Sequence, residues 1–274
     1  MIKFFRRIRK KLLTENKFSK YMGYALGEIL LVVIGILIAL AANNWNIDQN
    51  NAKAEIKLLQ QLELEYSENL SELIQNIQLR EDMIASAYSL RNYFINGAEG
   101  VALDSLEKHR ALTYYNIVFN APDGTTSLLL NSGELNLIQD GELKIRLSNW
   151  KGTIKEMTEQ ESFVTNHLLP QYFNYTNYNY DAIKLAGSFD QMKDKSFTDP
   201  IGKTQNVKED QENLISYSAS NKDFQEWSKW LEDKTIINYV LQISTRNKIA
   251  NSKALEVKNE TERILELIKQ NLED

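Results

Sequence analysis

The feature that most constrains this chain is a run of fourteen residues without a polar side chain, Ile29 to Ala42, reading ILLVVIGILIALAA. Fourteen helical residues rise about 21 Å, less than the ~30 Å hydrocarbon core of a bilayer. Extended back to Tyr21, the stretch has 22 residues and reaches about 33 Å. The pattern therefore predicts a transmembrane helix over residues 21–42. Tyr21 and Tyr24 stand at one end and Trp45 just past the other, where amphipathic rings favour the headgroup layer. Glu28 is the one ionisable group within the span. A carboxylate at mid-membrane costs about 3 kcal/mol, so Glu28 reads either as a group near the headgroups or as a polar contact to a partner helix. Gly23 and Gly27 are four apart, as are Gly35 and Ala39. Together with Glu28 these form a small-residue stripe that would let a second helix approach closely.

Charge sets the expected orientation. Residues 1–42 hold eight Lys and Arg and two acids, whereas the remaining residues hold 24 bases and 35 acids. No base occurs between Asn43 and Asn51. Positive charge is retained on the cytoplasmic side. Residues 1–20 are thus expected as a basic cytoplasmic tail, and the acidic body outside the inner, cytoplasmic membrane as a single-pass protein. An acidic body is a poor partner for nucleic acid, and a basic head suits an anionic lipid surface. A rival reading takes Ala39-Leu40-Ala41 as a small-x-small cleavage site that would release the body. The long basic region and Glu28 argue against it. The pair Arg6-Arg7 lies in a general basic run and adds little for twin-arginine export.

Beyond the span, residues 43–51 read as a short linker or a continuous helix, and residues 52–274 as an extracytoplasmic helical domain. Eleven Gly and three Pro in 274 residues favour long helices. Ala52–Asn96 contains neither, and Ile56, Leu59, Leu62, Tyr66, Leu70, Leu73, Ile77, Ile84, Ala87 and Phe94 recur at helical spacing. Asp104 is expected to cap a helix to about Phe119. A turn follows at Asn120–Gly124, then a short helix from Thr125 or Thr126. Gly133–Gly141 reads as a helix–helix corner. Asp140 opens a helix carrying Leu143, Leu147, Trp150, Ile154, Met157, Val164 and Leu168, expected to kink or end at Pro170. Residues 171–210 look least regular, with 187–210 a polar loop. Asn221 or Asp223 caps a helix with Trp227 and Trp230 in the core. Thr235 to about Leu272 is a final long helix with Ile236, Tyr239, Val240, Ile243, Ile249, Leu255, Ile264, Leu267 and Ile268 as its stripe. The expected fold class is all-α: an N-terminal transmembrane helix followed by an elongated antiparallel helical bundle with coiled-coil character.

Several segments carry a resemblance. They are FRRIRKKLL (5–13), ENKFSKY (15–21), GEILLVVIGILIAL (27–40), NNWN (43–46) and, further on, SGELNLIQD (132–140). Together they resemble an uncharacterised Bacteroidota-type single-pass membrane protein family, known only as a domain of unknown function. The match is densest over residues 5–46. The sequence departs from it at Ala41-Ala42, where a polar residue is expected. The resemblance implies an anchor and a helical outer domain, and carries over no activity and no functional residue.

Chemistry is sparse. His109 and His167 have no second ligand at metal spacing, cysteine is absent, and no phosphate loop, nucleophile elbow or zinc motif occurs. No cofactor is expected. Most acids read as solvated helix faces. Tyr172, Phe173, Tyr175, Tyr178 and Tyr180 place five rings in nine residues and form the candidate partner or ligand surface, or else cap an end of the core. The leading expectation is a non-enzymatic, membrane-anchored interaction or scaffold protein of the envelope, partnered by lipid and by a second copy or another membrane protein. A sensory or ligand-binding input module acting through a partner, and an enzyme with an unrecognised carboxylate site, are the rivals.

Overall fold

The computed structural model describes residues 18–180 and 221–273, with the side chains of residues 18–21, 24, 25, 104 and 221–224 left out of the description. The basic tail up to Lys17, the polar loop 187–210, and the rings of Tyr21 and Tyr24 lie outside the described residues. Among those described, the elements are α1 (Phe18–Asn96), α2 (Leu103–Thr113), α3 (Gly124–Ser132), a 3-10 turn (Glu134–Leu137), α4 (Gly141–Phe163), a π segment (Val164–Leu168), α5 (Leu169–Asn179), α6 (Asn221–Glu232) and α7 (Lys234–Glu273). No strand occurs among them, so the all-α class holds. Residues 43–51 are helical. The chain divides into two units, Met1–Leu59 and Gln60–Asp274.

In the first unit the described residues are helical. The helix is long and apolar enough there to cross a membrane, and none of its apolar window is buried. Leu26, Ile29, Leu31 and Ile38 are each more than 60% exposed.

In the second unit the core follows a 3.5-residue repeat on three helices. On α1 the buried side chains on the repeat are Leu62, Tyr66, Asn69, Leu73, Arg80, Met83, Ala87 and Leu90, with Glu65, Ile77 and Ser86 buried beside it. On α4 and the π segment they are Leu143, Leu147, Trp150, Met157, Glu161, Val164 and Leu168. On α7 the seam is unbroken over ten positions: Ile236, Val240, Ile243, Asn247, Ala250, Ala254, Val257, Thr261, Ile264 and Ile268. Alternating steps of three and four keep one stripe facing its neighbours along a whole helix. Two members of the expected α7 stripe, Ile249 and Leu255, are instead 42% and 46% exposed. They lie off the repeat, whose places are taken by Asn247 and Ala254.

Paired contacts give the helix directions. The Tyr66 ring meets Trp150 edge-on at 5.0 Å, and Arg80 pairs with Glu161, so α1 and α4 run the same way. Arg246 donates to Gln160 at 3.1 Å and Arg146 pairs with Glu260, so α7 runs opposite to α4. Packing is therefore mixed rather than uniformly antiparallel. A parallel pair requires a return crossing, which α2, residues 114–123 and α3 supply. This corrects the expectation of one helix to Phe119: α2 stops at Thr113, its N-cap is Ala102 rather than Asp104, and the chain continues extended.

The extended return has no sheet to satisfy its backbone, and a buried peptide group needs a partner. Acids supply it. Phe119 N–H donates to Glu161 Oε2 at 2.9 Å, Asn120 N–H to Glu72 Oε1 at 3.0 Å, and Asn69 Nδ2 to the Pro122 carbonyl at 3.0 Å. Glu65 then accepts from Thr125 N–H at 2.6 Å, Thr126 N–H at 3.1 Å and the Thr126 hydroxyl at 2.6 Å, capping α3 from a neighbouring helix. Gly133, at φ 77°, ends α3 in the left-handed region. Asp140 Oδ1 accepts from Leu143 N–H at 2.8 Å and starts α4. Between them Ile138 is fully buried, which makes Gly133–Gly141 a packed corner.

Helix α4 neither ends nor stays α-helical before Pro170. The π segment intervenes, and Leu169 N–H donates five residues back to the Val164 carbonyl. Proline carries no N–H and crowds the preceding turn; the wider turn passes it into α5. A π turn adds one residue to the helical register, so continuing the α4 repeat would bury Gln171, Tyr175 and Tyr178. The residues buried are Leu169, Tyr172 and Thr176. Residues 171–179, expected to be irregular, are helical.

Candidate functional site

Three groups of residues come forward as sites. The first is the stripe on the apolar part of α1. Gly23, Gly27, Gly35 and Ala39 are helical, and Glu28 is half-buried. A Cβ built on Gly23, Gly27 or Gly35 would meet nothing within 4 Å. These glycines serve no packing need inside the described chain. Trp45 is 67% exposed, as an interface ring would be.

The second group is the aromatic end. The five residues singled out from sequence do not share one face. Tyr172 is fully buried and Tyr180 nearly so, Phe173 and Tyr175 are half-buried, and Tyr178 alone is exposed, at 90%. Tyr172 stacks on Tyr114 at 4.8 Å and shares a hydrogen bond with the Thr113 hydroxyl at 3.0 Å. Burial raises its pKa well above the ordinary phenol value. Trp227 and Trp230, T-shaped at 5.8 Å, complete this core. The Arg110 guanidinium lies 5.3 Å from the Tyr114 ring and 5.6 Å from the Trp227 ring, held as a cation between two π faces.

Asp233, between α6 and α7, ties the end of α5 to this corner. Its Oδ2 accepts from the Tyr175 hydroxyl at 2.8 Å and the Tyr180 hydroxyl at 2.6 Å, and its Oδ1 from Thr235 N–H at 2.7 Å. Burial alone would raise this carboxyl, but the Tyr180 and Tyr175 hydroxyls and the backbone amides outweigh it and hold it below its ordinary value. Lys229 covers the Tyr180 ring at 4.9 Å.

The third group was not singled out from sequence. Arg80 is 0% and Glu161 2% exposed, each at a core position of its helix. They form a buried ion pair, and Glu161 also accepts from the Phe119 amide. Burial lowers the Arg80 guanidinium to about 10, which leaves it protonated at neutral pH. Asn247 and Asn251 on α7 are 5% and 8% exposed. A signal existed: the apolar repeat skips from Ile77 to Ile84 on α1 and from Met157 to Val164 on α4. Arg80 and Glu161 fill those two gaps.

The histidines are apart. His109 contacts the Ser86 hydroxyl at 3.1 Å, and burial, with Lys108 nearby, lowers its pKa. His167 is exposed beside Phe163, ring centroids 5.2 Å apart. Among the described residues, no three His, Cys, Asp or Glu side chains gather as a metal site.

A family of unknown function (DUF6090) matches residues 28–151. The match covers α1 from Glu28 through the return crossing and the first turns of α4, so it joins the apolar helix to the elements that build the parallel pair. No curated protein and no solved structure matches this chain.

Proposed function

We propose that this is a membrane-anchored, non-enzymatic protein whose extracytoplasmic helical bundle serves protein interaction or scaffolding in the cell envelope. In this reading residues 21–42 span the inner membrane once, residues 1–20 stay in the cytoplasm, and the acidic second unit lies outside. One observation carries it. The apolar stretch of α1 is wholly exposed, and its glycines would meet nothing within 4 Å in their own chain if they gained a Cβ. Exposed apolar surface of that length is costly in water, whereas lipid and a second apolar helix both cover it at little cost. The partner helix belongs to a second copy or to another membrane protein.

The test is a cysteine scan of residues 22–39 in the full chain, in native membranes, with disulfide and photo-crosslinking. Crosslinks that peak on the Gly23, Gly27, Gly35 and Ala39 stripe are expected. A scan with no crosslink at any position, to self or to a partner, overturns the reading.

A second reading, a sensory input module signalling through a partner membrane protein, draws support from α1. That single helix carries both the apolar stretch and the first core repeats of the second unit. Its mark would be a crosslink pattern that changes with a stimulus.

A further inference from the structure

The core repeats of the second unit take single polar residues at Asn69 and Thr261, and several together around Arg80 and Glu161. Arg80 pairs with Glu161, which fixes that level on α1 and α4. Arg246 Nη1 donates to Gln160 Oε1 at 3.1 Å, so Asn247, the next residue on α7, stands at the same height. Because α7 runs opposite to α1, one turn along brings Asn251 level with Asn76. The five residues Asn76, Arg80, Glu161, Asn247 and Asn251 therefore form a polar cluster two turns deep, with Ile77, Met157 and Ala250 buried among them. Mainly apolar levels lie on both sides: Tyr66, Trp150 and Val257 on one, Ala87, Leu168 and Val240 on the other.

The cluster is incompletely satisfied. Arg80 Nε and Nη1, Asn76 Nδ2, Asn247 Nδ2 and Asn251 Oδ1 are buried and have no hydrogen-bond partner. A buried donor without a partner has given up its hydration for nothing. Opening an apolar level exposes hydrocarbon to water, while opening this one rehydrates five stranded atoms and two charges. The π segment begins three residues past Glu161, so α4 also departs from regular helix next to the cluster. The cluster is neutral overall, with one cation and one carboxylate, which disfavours a bound anion as its purpose.

We propose that the Arg80–Glu161 cluster is a conformational device, a built-in weak level at which α7 parts from α1 and α4 while the apolar levels stay closed. The proposal is independent of the anchoring and scaffold reading. The apolar levels act as clamps, and movement of α7 is confined to residues 243–254.

Native-state hydrogen exchange on the full chain in detergent tests it. Amides of residues 243–254 are expected to exchange faster than those of 257–268. The charge-free variant R80M/E161Q takes both charges out of the core while the amide oxygen at 161 still accepts from the Phe119 N–H, a change that tends to stabilise. It is expected to slow exchange at 243–254 by about tenfold or more while 257–268 stays unchanged. Asn247→Leu should act in the same direction, and it stands in if the double variant does not fold. Equal protection of the two stretches in the unmodified chain overturns the proposal. So does uniform slowing along α7, or no slowing, in a folded variant.

Discussion

Glu65 shows how much this unit asks of single carboxylates. It is 7% exposed and accepts three hydrogen bonds from Thr125 and Thr126, at the positive end of α3. Hydrogen bonds to a charged acceptor are each worth about 1.5–3 kcal/mol, and stranding the donors adds a desolvation cost. Glu65→Ala is therefore expected to lower the urea unfolding free energy by about 3 kcal/mol or more, with Glu65→Gln milder because the amide oxygen still accepts. Glu142 is the opposite case, a carboxylate at the surface. Hydrogen bonds from Arg263 and then Arg146 lower it to about 2 from an ordinary 4.5. A depressed folded-state pKa adds stability above the unfolded value, and that stability is lost as pH falls through the folded one. The urea midpoint should thus drop between pH 4.5 and about 2. Glu142→Gln should remove part of that slope, and added salt should flatten it, because the group is exposed and screened.

At the scale of elements, the π segment decides which aromatic residues are inside. Removing one residue from it, Asn166, would restore an unbroken α-helix and keep the facing of α5, because the extra residue of the π turn is the one taken out. Tyr172 and Thr176 then still face inward, whereas a regular helix without the deletion would turn Gln171, Tyr175 and Tyr178 inward instead. The deletion is expected to cost about 3 kcal/mol, because Pro170 then sits inside a regular α turn, whereas Asn166→Ala at this exposed site should be nearly silent. Thermal unfolding by circular dichroism separates them.

The same segment marks where sequence reasoning stopped. Features set by local chemistry were legible: Asp140 as a cap, Gly133–Gly141 as a corner, and the Gly-free and Pro-free runs as long helices. The tyrosine cluster was visible, but which rings face inward depends on a one-residue shift that no local signal announces. Nor did residues 114–120 declare themselves as non-helical, since their end is held by Glu161 on the Phe119 amide and Glu72 on the Asn120 amide, remote acids on other helices. Those acids looked like solvated faces because the search for core positions counted only apolar residues. The skipped positions at Arg80 and Glu161 were in plain view, and a strict 3.5-residue count would have placed both in the core.

At the scale of the whole molecule, charge and apolar length make a joint prediction about topology. Eight of the chain's bases precede the apolar stretch, and none lies between Asn43 and Asn51. A positive flank is held on the cytoplasmic side, which puts Ser19 inside and Asn46 outside. The chain has no cysteine, so single cysteines at these two positions report without background. In intact spheroplasts a membrane-impermeant thiol reagent should label Asn46→Cys and leave Ser19→Cys unlabelled until the membrane is opened. The reverse pattern would invert the protein and put the acidic unit in the cytoplasm. The same samples address cleavage after Ala39-Leu40-Ala41. An intact anchor keeps the Asn46→Cys label on a full-length band in the membrane pellet after alkaline extraction. Processing would instead move that label to a band shorter by the first 41 residues and into the soluble fraction. With the anchor gone, the glycine stripe would be removed as well, and any contact between copies would have to come from the acidic unit alone.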